Sequence, residues 1–124
     1  MKKQYKVIVG VLIGIILLIT IIKVFNIKQI ILQKIYPKKY SEYVEKYAQE
    51  FNVDPLLIFS MIKAESNFKE KAKSSSGAKG LMQLMEATAN EIADKIDEPL
   101  VEEESLLEPE KNIMIGTKYY SELL

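Results

Sequence analysis

The sequence predicts an all-α chain, with one N-terminal transmembrane helix followed by a small helical domain. Three observations predict it. Val7 to Ile22 is an unbroken apolar run whose only polar member is Thr20. Beyond Pro37 apolar residues recur at helical spacing in one stretch after another, with no strand pattern and no internal repeat. A length of 124 residues then leaves room for one small domain beside the anchor.

Charge is unevenly spread. Residues 1 to 40 hold eight Lys and no acid, whereas residues 41 to 124 hold nine Lys and seventeen acids. The basic part surrounds the apolar run, so it reads as membrane flanks and not as a nucleic-acid surface. Arg is absent, which removes bidentate phosphate forks and leaves no nucleic-acid partner expected. Cys and His are absent too. Thiol, imidazole and ordinary zinc chemistry are thereby excluded, and a mechanism must run on carboxyl, hydroxyl, amide or amine groups.

Lys2, Lys3 and Lys6 precede the apolar run, which extends across Lys23 to Phe25. About 19 residues make roughly 28 Å of helix, close to one bilayer core. A cleaved signal peptide needs a small-x-small site, and Ile, Leu, Lys, Val and Phe fill that window. An uncleaved anchor over residues 1–36, spanning about 7–25, is the expectation. The N-terminus is assigned to the cytoplasm, although Lys23, Lys28, Lys34, Lys38 and Lys39 lie beyond the span.

Pro37 marks the expected boundary of a domain over residues 37–124. Tyr40, Tyr43, Val44, Tyr47, Ala48 and Phe51 then follow helical spacing, the tyrosines read as packing groups with wet hydroxyls. Asp54-Pro55 opens a second helix: Asp caps, and Pro suits the first helical position. Ala89, Ile92, Ala93 and Ile96 mark the buried side of another over Glu86 to Ile96. Asp97 to Glu108 reads as an acidic, solvated loop, without the pattern of a calcium loop. Pro109 opens a last helix whose inner side carries Ile113, Gly116, Tyr119, Tyr120 and Leu123.

Glu65 is the candidate catalytic residue. Helical geometry places it near the middle of an apolar arc with Ile58, Met61 and Ile62, in the last turn of its helix. Lost hydration and the helix macrodipole both favour the protonated carboxyl there, as a general acid near neutral pH requires. A surface Glu at a frayed helix end is the competing reading. The following loop carries Ser74-Ser75-Ser76, Gly77 and Gly80, then Leu81-Met82-Gln83-Leu84-Met85. Gln83 among Met and Leu has the composition of a sugar-facing wall, or of a Met-rich core strip with a chance Gln.

Taken together, Glu65-Ser66, Ala72-x-Ser74-x-x-Gly77-Ala78-x-Gly80-Leu81-Met82-Gln83-Leu84-Met85, Thr88-Ala89 and Asn112-Ile113-x-x-Gly116-x-x-Tyr119 resemble the soluble-lytic-transglycosylase (SLT) family of lytic transglycosylases. The resemblance covers roughly Tyr40 to Leu124. Glu86 stands where the family usually has Pro, and a further Ala-Tyr-Asn-Ala-Gly segment of the family is not reached. The resemblance implies a lysozyme-like fold acting on peptidoglycan glycan strands, with no cofactor and no metal. It implies cleavage of the bond between N-acetylmuramic acid and N-acetylglucosamine with formation of a 1,6-anhydro sugar. Glu65 serves as acid and then base, Ser66 lies beside the reacting sugar, Met82 and Gln83 line the groove, and Tyr119 contacts substrate or only packs. The alternatives are a lysozyme-type muramidase and a non-catalytic wall-binding or assembly module. The expectation attached to the unreached segment is a domain incomplete at its C-terminus, with water entering around Glu65.

Overall fold

The computed structural model describes residues 2–35 and 38–124. The chain divides into two compact units, Met1–Tyr36 and Pro37–Leu124. Pro37 itself lies outside the described residues.

The first unit is one helix, α1 (Lys2–Ile35), of 34 residues. It overruns the expected span at both ends, because neither flank carries a residue that stops a helix before Pro37. Its apolar side chains, Val7 and Ile8 through Val24 and Phe25, are exposed on every side. A helix apolar all round belongs inside a protein or a bilayer, not in water. Gln4–Ile27 is long and apolar enough to cross a membrane.

The second unit contains four α-helices and two short 3-10 helices among the described residues: a 3-10 turn at Lys38–Tyr40, α2 (Ser41–Glu50), α3 (Pro55–Ser66), α4 (Glu86–Lys95), a 3-10 turn at Glu103–Leu107, and α5 (Pro109–Leu123). These four α-helices fall in the four stretches that the sequence marks as helical. The helical start expected at Lys38 is a tight 3-10 turn, and α2 proper begins at Ser41. Helix α5 packs on α2, on α4 and on the second 3-10 turn, while α2 also packs on α3. Val44, Ile58, Ile62, Leu81, Ile92, Leu106, Ile113 and Ile115 are fully buried where these elements meet.

Local chemistry explains the ends of α3. The Asp54 carboxylate accepts the Leu56 N–H at 2.9 Å, satisfying a donor of the first turn, and Pro55 occupies the position that lacks a partner anyway. The helix stops where Asn67 (φ 49°) and Phe68 (φ 62°) enter the left-handed region. Two tyrosine hydroxyls expected to be wet are paired instead. Tyr40 donates to Glu70 at 2.9 Å and Tyr47 to Glu110 at 2.8 Å, each ring being buried.

The segment from Asp97 to Glu108 corrects the expected solvated loop. Val101, Leu106 and Leu107 are buried, and Glu103 and Glu104 pair with lysines of the Ser/Gly loop. Acid-rich composition hid three apolar residues whose partners lie elsewhere in the chain.

Candidate active site

Helix α3 presents its buried side through Ile58, Phe59, Ile62 and Ser66. Glu65 is exposed. This corrects its expected place at the centre of the apolar arc. It stands about 60° around the helix from Ile62 and about 100° from Ser66, at the edge of the buried side. Met61 on the same flank is only half-buried and Ala64 is exposed. Helical spacing counts apolar residues, but the packing of α2 selects which of them face inward.

Ser66, 8% exposed, turns its hydroxyl back to donate to the Ile62 carbonyl at 3.1 Å. Its oxygen retains acceptor capacity beside Glu65. From there the chain enters a compact loop. Ser74 N–H donates to the Ala78 carbonyl and Ala78 N–H to the Ser74 hydroxyl, both at 2.9 Å. Lys73 and Leu84 each pair with Lys79 in isolated antiparallel bridges. Gly80 (φ 78°) is forced by space as well as by conformation: a Cβ there would lie 2.8 Å from Asn112 Cγ and collide with the Leu106 carbonyl.

Gln83 also holds a left-handed conformation (φ 48°). Its amide nitrogen donates to the carbonyls of Ala72 (3.2 Å) and Gly80 (2.9 Å). The half-buried carboxamide is thus clamped to its own loop, and its oxygen remains as an acceptor. Met82 is only 1% exposed. Its N–H donates to Asn112 Oδ1 at 2.7 Å, and its side chain lies where Gly116 leaves room on α5. Met82 therefore packs the core and does not line an open groove. Met85 is the exposed methionine of the pair, at 43%. It lines a cavity of about 470 Å³ with Gly77, Glu86, Ala87, Asn90 and Glu103.

Helix α5 closes the assembly. Asn112, 1% exposed, uses both ends of its amide: Oδ1 accepts from Met82, and Nδ2 donates to the carbonyls of Lys79 (3.0 Å) and Leu106 (2.8 Å). Two turns on, Tyr119 and Tyr120 stand half-buried with ring centres 5.3 Å apart. Burial, and then the Glu65 charge, hold the Tyr120 hydroxyl above its ordinary pKa. Tyr120 is thus the tyrosine that the Glu65 carboxylate acts on. Sequence reasoning took Tyr120 only as an inner-side residue of the last helix, and Asn112 and Met85 only as motif positions. Asn112 was findable as an amide at the start of an otherwise apolar inner face.

The sequence profile of the transglycosylase SLT domain matches residues 42–124. The chain belongs to this family. Among SLT relatives, the membrane-bound lytic murein transglycosylase C of Edwardsiella ictaluri is 37% identical over 83 residues, which are 65% of this chain and 23% of that protein. The lytic transglycosylase Slt of Pseudomonas aeruginosa, solved as an inactive Glu-to-Gln mutant, superposes with a TM-score of 0.69 at 33% identity. That match covers 74% of this chain and 15% of the Pseudomonas one. A 70 kDa soluble lytic transglycosylase in complex with bulgecin A superposes with a TM-score of 0.65 at 32% identity, over 69% of this chain and 14% of its own. The chain thus spans less than a quarter of the length of each. All five site residues expected from the sequence fall inside the SLT match. Among the described residues no group of three His, Cys, Asp or Glu is placed to hold a metal.

Proposed function

We propose that the SLT domain cleaves peptidoglycan as a lytic transglycosylase, with Glu65 as its single acid and base. The carboxyl gives its proton to the glycosidic oxygen between N-acetylmuramic acid and N-acetylglucosamine as the bond to the anomeric carbon breaks. The carboxylate then takes the proton of the muramic 6-hydroxyl as that oxygen closes on the anomeric carbon. The product is a 1,6-anhydro sugar and no water is consumed.

The observation that carries this reading is the availability of Glu65 inside the SLT match. Four acids of the domain are held by lysines: Glu70 by Lys39, Glu103 by Lys79, Glu110 by Lys46 and Glu122 by Lys95. Glu65 forms no ion pair among the described residues and is open to an incoming sugar. Most glycosidases use two carboxyls; in this reading one carboxyl serves both proton transfers. Ser66 and Gln83 present acceptors to the glycan. Met82 being buried, Met85 is the exposed methionine of the motif and the one available for an apolar contact with the glycan. Tyr119 packs on Tyr120.

We also propose that α1 is a single-pass anchor in a bacterial cell membrane, N-terminus in the cytoplasm, with the SLT domain outside where the wall is. The name of the Edwardsiella relative and the length and apolarity of α1 support this.

The exposure of Glu65 favours a second reading, a wall-binding module without turnover, since an acid in water lacks the dry setting that sharpens general acid catalysis. Digestion of isolated peptidoglycan by the full chain in detergent, followed by mass spectrometry of the fragments, separates them. Anhydro ends, lost on Glu65→Gln, support the transglycosylase. Reducing ends mark a muramidase, and retention on the wall without fragments marks a binding module.

A further inference from the structure

Between the first 3-10 turn and the loop after α3 lies a cavity of about 490 Å³, lined by Lys39, Tyr40, Phe68, Lys69, Glu70, Lys71 and Ala72. Its floor is a stacked ring pair, Tyr40 and Phe68, with centres 6.4 Å apart and planes 6° from parallel. Its rim carries three exposed lysines and one acid. That acid, Glu70, is already neutralised by Lys39 Nζ at 2.7 Å and by the Tyr40 hydroxyl at 2.9 Å. The cavity therefore keeps a surplus of positive charge in a domain whose residues 41–124 hold nine Lys against seventeen acids. Phe68 lines it with a left-handed backbone (φ 62°), a conformation uncommon for a bulky residue and more often kept where a site needs it.

We infer that this cavity receives the phosphate of an anionic lipid headgroup. The inference rests on reading α1 as a bilayer anchor. Lys39 follows the last residue of α1 by four positions in the sequence. An otherwise acidic domain is repelled by an anionic bilayer, and a lysine-rimmed face is where it can settle. Aromatic rings beside lysines are the composition of protein surfaces at the headgroup level.

The test uses the full chain reconstituted in phosphatidylcholine vesicles, with and without phosphatidylglycerol, and in detergent with glycerol phosphate. Lysines are acetylated briefly, modification is read by mass spectrometry, and flotation of each sample is recorded. Lys69 and Lys71 are expected to be protected about fivefold by phosphatidylglycerol, Lys95 not at all, and added salt should reverse the protection. Lys71 also donates to the Leu107 carbonyl at 3.5 Å, so the variant is Lys69→Gln alone, which should weaken the lipid-dependent protection of Lys39 while its thermal unfolding is unchanged. Equal labelling in both vesicle types, with the chain floating, overturns the headgroup site and leaves the anchor standing. A chain that fails to float removes the anchor and the inference together. Equal protection by glycerol phosphate in detergent overturns the bilayer as the source.

Discussion

The negative charge of Glu65, on α3, helps to hold the Tyr120 hydroxyl, on α5, in its neutral form. Burial of the ring is the larger cause, the Glu65 charge the next, and Tyr119 adds a smaller share. Glu65→Gln removes only the second. The tyrosine absorbance titration of the full chain should then show one phenol ionising at lower pH, still above its ordinary value because burial persists. In a Tyr120→Phe background the same substitution should leave the titration unchanged. A shift that survives in that background would assign the coupling to another tyrosine. As an exposed residue, Glu65 should tolerate the change within about 0.5 kcal/mol of stability.

Asn112 joins three segments through one amide, so its chemistry is testable by a near-isosteric change. Asn112→Asp can still accept the Met82 N–H, but it cannot donate to the carbonyls of Lys79 and Leu106. Two buried acceptors lose their donor and a charge enters a dry site. A loss of at least ~2 kcal/mol is expected, read as an earlier thermal transition in the near-ultraviolet tyrosine signal. An unchanged transition would mean that water replaces the amide.

The two methionines should separate function from stability. Met82→Ala empties a fully buried position against Gly116 and should cost about 2–5 kcal/mol. Gly116→Ala should cost about 1–3 kcal/mol by crowding the same place, since the new Cβ meets Met82 Cβ and Cε at 3.0 Å. Met85→Ala, at an exposed site, should leave the thermal transition nearly in place and raise the KM for glycan fragments. Loss of glycan affinity in Met82→Ala without loss of stability would reverse these assignments.

Acid should weaken the domain in a defined window. Glu70, Glu103, Glu110 and Glu122 titrate below their ordinary value of 4.5, held down first by hydrogen bonds from Lys39, Lys79, Lys46 and Lys95 respectively. A carboxylate whose folded pKa is depressed stabilises the fold above its unfolded value, and that contribution disappears as pH falls through the folded one. The melting temperature should therefore hold at neutral pH and decline below about 4.5. Glu103→Gln leaves the buried Lys79 poorly paired, so this variant should melt earlier at pH 7. The gap between variant and parent should close as pH drops, because protonation then removes from the parent the charge that the variant already lacks. A gap that stays constant with pH would mean that the Lys79–Glu103 pair contributes nothing ionic.

The sequence by itself determined what is local. Asp54-Pro55 and Pro109 set helix starts because capping and a fixed φ act within a few residues. Gly77 and Gly80 marked left-handed turns, and the run from Val7 to Phe25 announced α1 through composition alone. The spaced motifs around Glu65, Gly80 and Asn112 identified the family, since their order and distances survive without any coordinates. Tertiary structure decided which face of each element is used. Two methionines three positions apart, Met82 and Met85, have the same chemistry, and only the closeness of Gly116 on α5 sends one into the core. Tyr119 and Tyr120 are likewise adjacent, and only the packing of α5 into the domain decides which hydroxyl the Glu65 charge holds neutral. The exposure of Glu65 and the pairing of Lys79 with Glu103 depend on segments dozens of residues away. Periodicity gives an arc on a helix, but the partner that covers part of that arc is folded in from elsewhere.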